Sequence, residues 1–174
     1  NLNIQSTQLS IHNLEVQNKN FDALLIGTYN FTNGNTDAKL NLTISKSFKD
    51  IPPIIANNLE IGAKLNGPLN DIKGNININT ALKDHTLLIQ TPLSYTNSII
   101  GFNKVNGALD NMPISGNLGL NTSSGLIQGK IKVILDDLKP LKTIMGDTTI
   151  KGKGNIEANF IPRKGQRQQV NLNG

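Results

Sequence analysis

The chain of 174 residues is long enough for one domain with a hydrophobic core, yet only 37% of its residues are hydrophobic and 4% are aromatic. It has no cysteine, which excludes disulfides, cysteine-based zinc sites and thiol nucleophiles. Asparagine supplies 26 residues and glycine 16, so uncharged polar residues replace much of the usual apolar and charged content.

The net charge of +5 makes nucleic acid, anionic lipid and acidic proteins candidate partners. Most of the 17 basic residues are single lysines, and no Trp, two Tyr and five Phe offer few surfaces on which bases could stack. We therefore expect no nucleic-acid partner. One basic cluster is interpreted as a solvated face, with a contact for anionic groups as the alternative: Lys151, Lys153, Arg163, Lys164 and Arg167.

Alternation of apolar and polar residues runs along the chain and predicts antiparallel strands with one apolar face. The first such pairs are Leu2 and Ile4, Leu9 and Ile11, and Leu14 and Val16. Phe21 to Phe31 is apolar on both faces for part of its length and predicts a better-covered strand. The later runs place on one face Leu40, Leu42 and Ile44; Ile76 and Ile78; Leu118 and Leu120; Ile131, Val133 and Leu135; and Ile156, Ala158 and Phe160.

Turn residues separate these runs. Asn33-Gly34 predicts a type I′ hairpin turn. Further turns are predicted at Asn18 to Asn20, Asn66-Gly67-Pro68, Asn106-Gly107 and Ser123-Ser124-Gly125. The short spacing between turns leaves no room for crossover helices, so a parallel α/β sheet is not expected.

Two segments interrupt the alternation and predict short helices. Ser47 to Asn58 contains Pro52 and Pro53 and predicts a proline-disturbed turn of helix. Asp136 to Gly146 predicts a short amphipathic helix with apolar residues at Leu138, Leu141, Ile144 and Met145. Each helix could cover one end of the apolar face of the sheet.

A loose internal repetition connects parts of the chain. The run from Leu65 to Ile76 is similar to the run from Val105 to Leu118, each with Asn-Gly, a leucine and a later Gly-Asn-aliphatic restart. We expect residues 1–174 to be one fragment of a longer repetitive β-protein, with quasi-repeats around 38–80, 99–121 and 126–174. The start at Asn1 without Met and the strand-like final residues agree with that expectation.

No catalytic arrangement is found in the sequence, and we expect neither enzymatic activity nor a cofactor or metal. Lys151-Gly152-Lys153-Gly154 is Gly-rich but lies in an alternating run, not between a strand and a helix. Asp136 and Asp137 are explained by helix capping. His12 and His85, the only histidines, are expected to be exposed and without a role.

The apolar face of so many strands must be either covered or open. A closed β-sandwich would bury it against a second sheet. We instead favour an elongated sheet curled into a trough, because aliphatic side chains without polar anchors suit acyl chains. The candidate residues of the groove are Leu40, Leu42, Ile44, Ile76, Ile78, Leu118, Leu120, Ile131, Val133, Leu135, Ile156 and Phe160.

The motifs Asn66-Gly67-Pro68-Leu69, Asn106-Gly107-Ala108-Leu109 and Asp137-Leu138-Lys139-Pro140-Leu141 resemble recurring units of the TamB and AsmA-like family. This resemblance implies a long periplasmic protein of Gram-negative bacteria, anchored in the inner membrane, with a taco-shaped sheet. It further implies phospholipid transport to the outer membrane and outer-membrane protein assembly with a barrel partner. The richness in Asn and Lys departs from the family.

We therefore expect a segment of a bridge-like protein whose partners are phospholipid acyl chains and, through other parts of the protein, an outer-membrane barrel. The first alternative is a chaperone-like groove that holds an unfolded β-barrel strand against a sheet edge. The second is an extracellular β-solenoid or adhesin stalk without a ligand.

Overall fold

A computed structural model describes residues 1–49, 51–136, 152–163, 165 and 167–174. All regular structure in these residues is β-strand, as the alternation predicts. The strands are β1 (Leu2–Gln5), β2 (Gln8–Gln17), β3 (Phe21–Asn30), β4 (Asn35–Ile44), β5 (Leu59–Pro68), β6 (Asp71–Leu82), β7 (His85–Thr96), β8 (Ile99–Leu109), β9 (Met112–Asn121), β10 (Ile127–Leu135), β11 (Gly154–Arg163) and β12 (Arg167–Asn173).

The twelve strands form one sheet whose spatial order is the chain order, and every neighbouring pair is antiparallel. The antiparallel all-β prediction is confirmed. The sheet is open and uncurled: β1 and β12 are its two edges, and the described strands include no second sheet that could close a sandwich. The curled trough and the closed sandwich are therefore not the shape of these residues, because pairing between successive strands sets the order without closing the sheet.

Because the strands alternate in direction, every second connection lies at the same end of the strands. The two longest separations between consecutive strands, from β4 to β5 and from β10 to β11, both fall at the end where β2, β4, β6, β8 and β10 finish. We call this end the long-loop edge, and the opposite end the short-turn edge.

The helix predicted for Ser47 to Asn58 is wrong. The described residues of this connection form turns, and Ile55 makes a single β-bridge with Leu82 at the end of β6. The backbone N–H of Ala56 donates to the carbonyl of Ala81 at 2.8 Å, and the N–H of Lys83 donates to that of Ile54 at 2.8 Å. Two successive prolines cannot supply helical N–H donors, so the segment bonds to the sheet instead.

The helix predicted from Asp136 to Gly146 lies outside the described residues apart from Asp136 itself, which follows the end of β10. The same holds for its apolar positions, which are Leu138, Leu141, Ile144 and Met145. This helix therefore remains a prediction from the sequence.

The positions and types of several turns differ from the prediction. Gly34 has a φ of 69°, but Asn33 does not share a positive φ, and Gly34 N–H donates to the Asn30 carbonyl at 2.8 Å across a wider turn. Both residues of the Asn97-Ser98 turn have positive φ, 51° and 62°, which is the type I′ pattern. Asn106-Gly107 is not a turn, because both residues are paired inside β8.

Two β-bulges lie in the sheet. The pairing of β2 with β3 shifts between Ile11 and Leu14, and the pairings of β8 shift between Phe102 and Val105. Each bulge adds one residue to its strand, so the apolar residues on both sides of it face the same way although their spacing is odd.

The most buried part of the molecule lies near the long-loop edge. Leu109, Met112, Ile114 and Leu135 form a cluster, and Leu135 is only 1% exposed. The apolar residues packed around it are Leu82, Leu87, Ile131, Val133 and Ile156. Away from this cluster the apolar side chains are mostly half-buried, because one sheet can shield them only with their neighbours.

Candidate functional site

One face of the sheet carries continuous rows of apolar side chains, and we call it the aliphatic face. Residues paired across antiparallel strands share a face, so the register defines these rows. One row crosses ten strands through Val16, Ala23, Leu42, Ile61, Ile78, Ile89, Gly107, Ile114, Val133 and Ile156. A second crosses all twelve strands through Leu2, Ile11, Gly27, Ala38, Leu65, Gly74, Leu93, Phe102, Leu118, Gly129, Phe160 and Val170.

The register brings all the sequence-predicted groove residues to this face. Four of them, Leu42, Ile78, Val133 and Ile156, stand in the first row, and Leu118 and Phe160 stand in the second. The others keep the same parity along their strands: Leu40, Ile44, Ile76, Leu120, Ile131 and Leu135. Their placement is settled, while their role toward a lipid stays a prediction.

The aliphatic face is apolar over a large span. Neither row contains a charged residue. Adjacent strands lie about 4.8 Å apart, so a row across ten strands extends for roughly 43 Å. The two buried polar residues of the face are paired internally: Thr80 Oγ1 donates to Asn57 Oδ1 at 3.1 Å, and Thr91 Oγ1 donates to the Pro92 carbonyl at 3.1 Å.

Besides Gly67 near the end of β5, whose Cβ would press against the Asp71 carbonyl, five glycines interrupt the rows of the aliphatic face at points where neighbouring backbones come close. A Cβ on any of them would press against a carbonyl oxygen of the adjacent strand. Backbone atoms cannot turn aside as a flexible side chain can, so these positions exclude larger residues. The glycines are Gly27, Gly74, Gly107, Gly116 and Gly129.

A pit of about 130 Å³ lies on the aliphatic face across β2, β3 and β4. Gly27 and Ala38 are paired there and leave the space between longer side chains. The pit is lined by Leu9, Ile11, Leu25, Gly27, Thr28, Tyr29, Thr36 and Ala38. Its volume is that of a chain end or a few methylene groups.

The opposite face, which we call the polar face, carries Asn, Lys, Thr and Glu side chains. Two exposed ion pairs lie on it, Lys73 with Asp71 and Lys130 with Glu157, each 3.6 Å apart. The prediction that β3 is better covered is wrong, since Ile26 on this face is 41% exposed. No element in the described part of the chain packs over β3 from this side.

The basic cluster predicted near the C-terminal end does not form one site. Lys153 precedes β11 at the long-loop edge, whereas Arg163 ends β11 and pairs with Arg167 at the short-turn edge. A strand of ten residues separates them by roughly 30 Å. Lys151 and Lys164 lie outside the described residues.

His85 is not the exposed residue that the sequence predicts. Its side chain is 14% exposed, and its Nδ1 lies 2.6 Å from Asp110 Oδ2 in the neighbouring hairpin. Asp110 Oδ1 also accepts the backbone N–H of Thr86 at 2.8 Å. The hydrogen bond from His85, followed by that from Thr86, lowers the pKa of Asp110 below its ordinary value of 3.8. His12 is exposed, as predicted.

This pair predicts a pH effect on stability. Because the pKa of Asp110 is lower in the folded chain, its carboxylate stabilises the fold above the unfolded pKa of about 4 and loses that effect as the pH falls. We expect Asp110→Asn, which suits the positive φ of 51°, to lower the thermal midpoint at neutral pH and to flatten its decline in acid. Thermal melts from pH 7 to pH 2 measure both effects, and parallel pH profiles for the two proteins would contradict the expectation.

The sequence analysis missed the His85 contact and the bulges. His85 and Asp110 are 25 positions apart, and only the pairing of β7 with β8 joins them. In the described residues, no three His, Asp or Glu side chains are grouped as metal ligands, and no helix is long and apolar enough to cross a membrane. Comparison of the chain with protein-family models, curated proteins and solved structures finds no match.

Proposed function

We propose that this chain is a lipid-conducting segment of a bridge-like periplasmic protein, and that its aliphatic face shields phospholipid acyl chains from water. The observation that carries the proposal is the uncharged apolar row that crosses ten strands and is only half-buried along most of its length. An exposed apolar surface of this extent is uncommon in a monomeric protein without an apolar partner.

The composition of the face favours acyl chains among apolar partners. Its side chains are mainly Leu, Ile, Val and Ala, which offer area but no fixed hydrogen-bond geometry. A lipid tail needs area alone, while its head group must remain in water. The open margins of the sheet would leave the head group hydrated while the tail lies along the rows.

We further propose that the sheet of the whole protein is curled into a trough. In a longer protein, further strands beyond β1 and β12 would continue the sheet, and curling toward the aliphatic face would enclose the chains on three sides. The proposed setting is the periplasm, with an anchor in the inner membrane and an outer-membrane barrel partner held by other parts of the protein. The proposed role is transport and assembly rather than catalysis.

Photo-crosslinking from the two faces tests the proposal. A photoreactive phenylalanine analogue at Leu42 or Ile78 of the aliphatic face is expected to form adducts with phospholipid, detected by mass spectrometry. The matched controls place the same analogue at the adjacent residues Asn41 and Asn77, which point to the polar face. Equal lipid adducts from both faces, or none from the aliphatic face, would contradict the proposal.

Charge substitution separates an open face from a closed core. We expect Ile78→Lys to leave the protein folded, because the half-buried side chain can carry its ammonium group to water. The amount of phospholipid that co-purifies with this variant should be severalfold lower than with the unmodified chain, because the charge interrupts the apolar row. Circular dichroism reports the fold and native mass spectrometry the lipid. Unfolding of the variant would favour a closed core, and full retention of lipid would refute conduction along this row.

Strand capture is a second candidate function, favoured by the open sheet edges. Val170 and Leu172 of β12 are 47% and 70% exposed, and the edge carries no proline to block pairing. Capture predicts that an extended peptide from a β-barrel binds in an edge-dependent manner. A Gln169→Pro substitution should then abolish peptide binding and leave lipid retention unchanged, which distinguishes the two functions.

A further inference from the structure

A second concave surface lies on the polar face, away from the aliphatic rows. It is a depression of about 580 Å³ across β7 to β10, within the roughly 300–1,000 Å³ typical of small-ligand sites. Gly101 and Gly119 are directly paired and form part of its floor. The other lining residues are Ser94, Thr96, Ile99, Asn103, Asn117, Leu118, Gln128 and Gly129.

The bulge in β8 contributes a side chain to this depression. The extra residue lies at Asn103-Lys104, where Lys104 has a φ of 60°, between the paired residues Phe102 and Val105. Bulges commonly redirect a side chain beside a functional site. Here the amide of Asn103 points toward the neighbouring strand β7, where its Nδ2 donates to Ser94 Oγ at 3.4 Å.

The polar groups that line the depression are all neutral. Ser94 and Thr96 supply hydroxyls, and Asn103, Asn117 and Gln128 supply amides. Among the described residues, the amides of Asn117 and Gln128 make no hydrogen bond with another protein group, so both their donors and their acceptors are available to a ligand.

Two pairs of opposite charges lie beside the depression. Lys73, opposite Ser94, lies 3.6 Å from Asp71, and Lys130, opposite Asn117, lies 3.6 Å from Glu157. In each of these two ion pairs the charge is compensated by its partner, so neither pair offers a free charge to a charged ligand. An amide, by contrast, both donates and accepts, which matches the hydroxyl groups of a sugar.

We propose that this depression binds a neutral, hydroxyl-rich ligand, specifically a sugar unit of a glycan. The amides of Asn103, Asn117 and Gln128 hydrogen-bond its hydroxyls, and Ile99, which is 37% exposed, packs against its carbon-bound hydrogens. Gly101 is half-buried and has no side chain between the ring and the sheet, while Gly119 is buried against the Gln128 side chain, whose amide would meet the ring there. The site lies on the opposite face from the proposed lipid surface and does not depend on it.

Filling the floor tests the proposal without disturbing the fold. A Cβ on Gly119 would lie 3.2 Å from the Gln128 side chain, and a Cβ on Gly101 would lie 2.8 Å from Ser94 Oγ. These neighbours are side-chain atoms, Ser94 Oγ and the Cγ and Nε2 of Gln128, which can move by rotation of their side chains, and neither glycine has a positive φ, so the double variant G101A/G119A should fold. Gly62→Ala is the matched control, since its Cβ meets only Asn41 Oδ1 at 3.7 Å elsewhere on the polar face.

The probes are maltotriose and chitotriose, with the anionic trimer of galacturonic acid as a charge control. We expect at least one neutral trisaccharide to shift the backbone amide signals of Gly101 and Gly119 saturably at roughly millimolar concentration. The double variant should bind about tenfold more weakly or not at all, while Gly62→Ala binds as the unmodified chain does. Absence of saturable shifts with both neutral probes, equal binding by the double variant, or tighter binding of the anionic trimer would overturn the proposal.

Discussion

Truncation of Leu135 to alanine is expected to lower the free energy of unfolding by about 2–5 kcal/mol. Leu135 is 1% exposed and belongs to the cluster with Leu109, Met112 and Ile114, so its removal leaves a cavity where the sheet is best packed. Urea denaturation of the Leu135→Ala variant measures the change, with an unchanged slope indicating that the same surface unfolds.

The matched control is Leu172→Ala on the edge strand β12. Leu172 stands on the same aliphatic face but is 70% exposed, so its truncation should change the free energy of unfolding by no more than about 0.5 kcal/mol. If the two variants lost equal free energy of unfolding, the buried cluster near the long-loop edge would contribute no more to stability than the exposed edge strand does.

Replacement of Gly116 by alanine is expected to destabilise the protein by about 1–3 kcal/mol. The added Cβ would press against the backbone carbonyl of Lys130 in β10 and would lie 3.0 Å from Ile131 Cα. Relief would require β9 and β10 to separate. Chemical denaturation measures the loss, and the signals of the Lys130 amide region in NMR report the displacement.

Gly62→Ala is expected to act in the opposite direction. Gly62 lies inside β5 on the polar face, where a Cβ has room, and alanine lowers the entropy of the unfolded chain. A gain of roughly 0.5–1 kcal/mol follows. If both glycine variants proved equally tolerated, close backbone approach would not be the reason for glycine on the aliphatic face.

The strands and their inward residues were predictable because alternation is a local property. Leu40, Leu42 and Ile44 alternate with Lys39, Asn41 and Thr43, and the pleat alone sends these two sets to opposite faces. Turn positions were less predictable. Asn106-Gly107 has the composition of a turn but pairs on both sides within β8, because neighbouring strands supply its hydrogen bonds.

The polar depression and the His85–Asp110 contact could not be predicted in the same way. Each depends on the register between different strands: Gly101 meets Gly119, and Asp110 meets His85 across the turns of two hairpins. A one-residue slip would separate both pairs. The bulge at Asn103-Lys104 adds such a residue, and a lysine at positive φ gives no sequence signal for it.

Local alternation is enough to predict an antiparallel all-β chain with one aliphatic face, since a period of two residues follows from the geometry of a single strand. Three features could be established only from the pairing of the strands: the twelve strands stay in one open sheet, the described residues of Ser47 to Asn58 bond to β6 as turns and not as a helix, and the best-packed region lies around Leu135. These features depend on which strands become neighbours and on what covers them. They arise from contacts between distant residues, which local alternation does not specify.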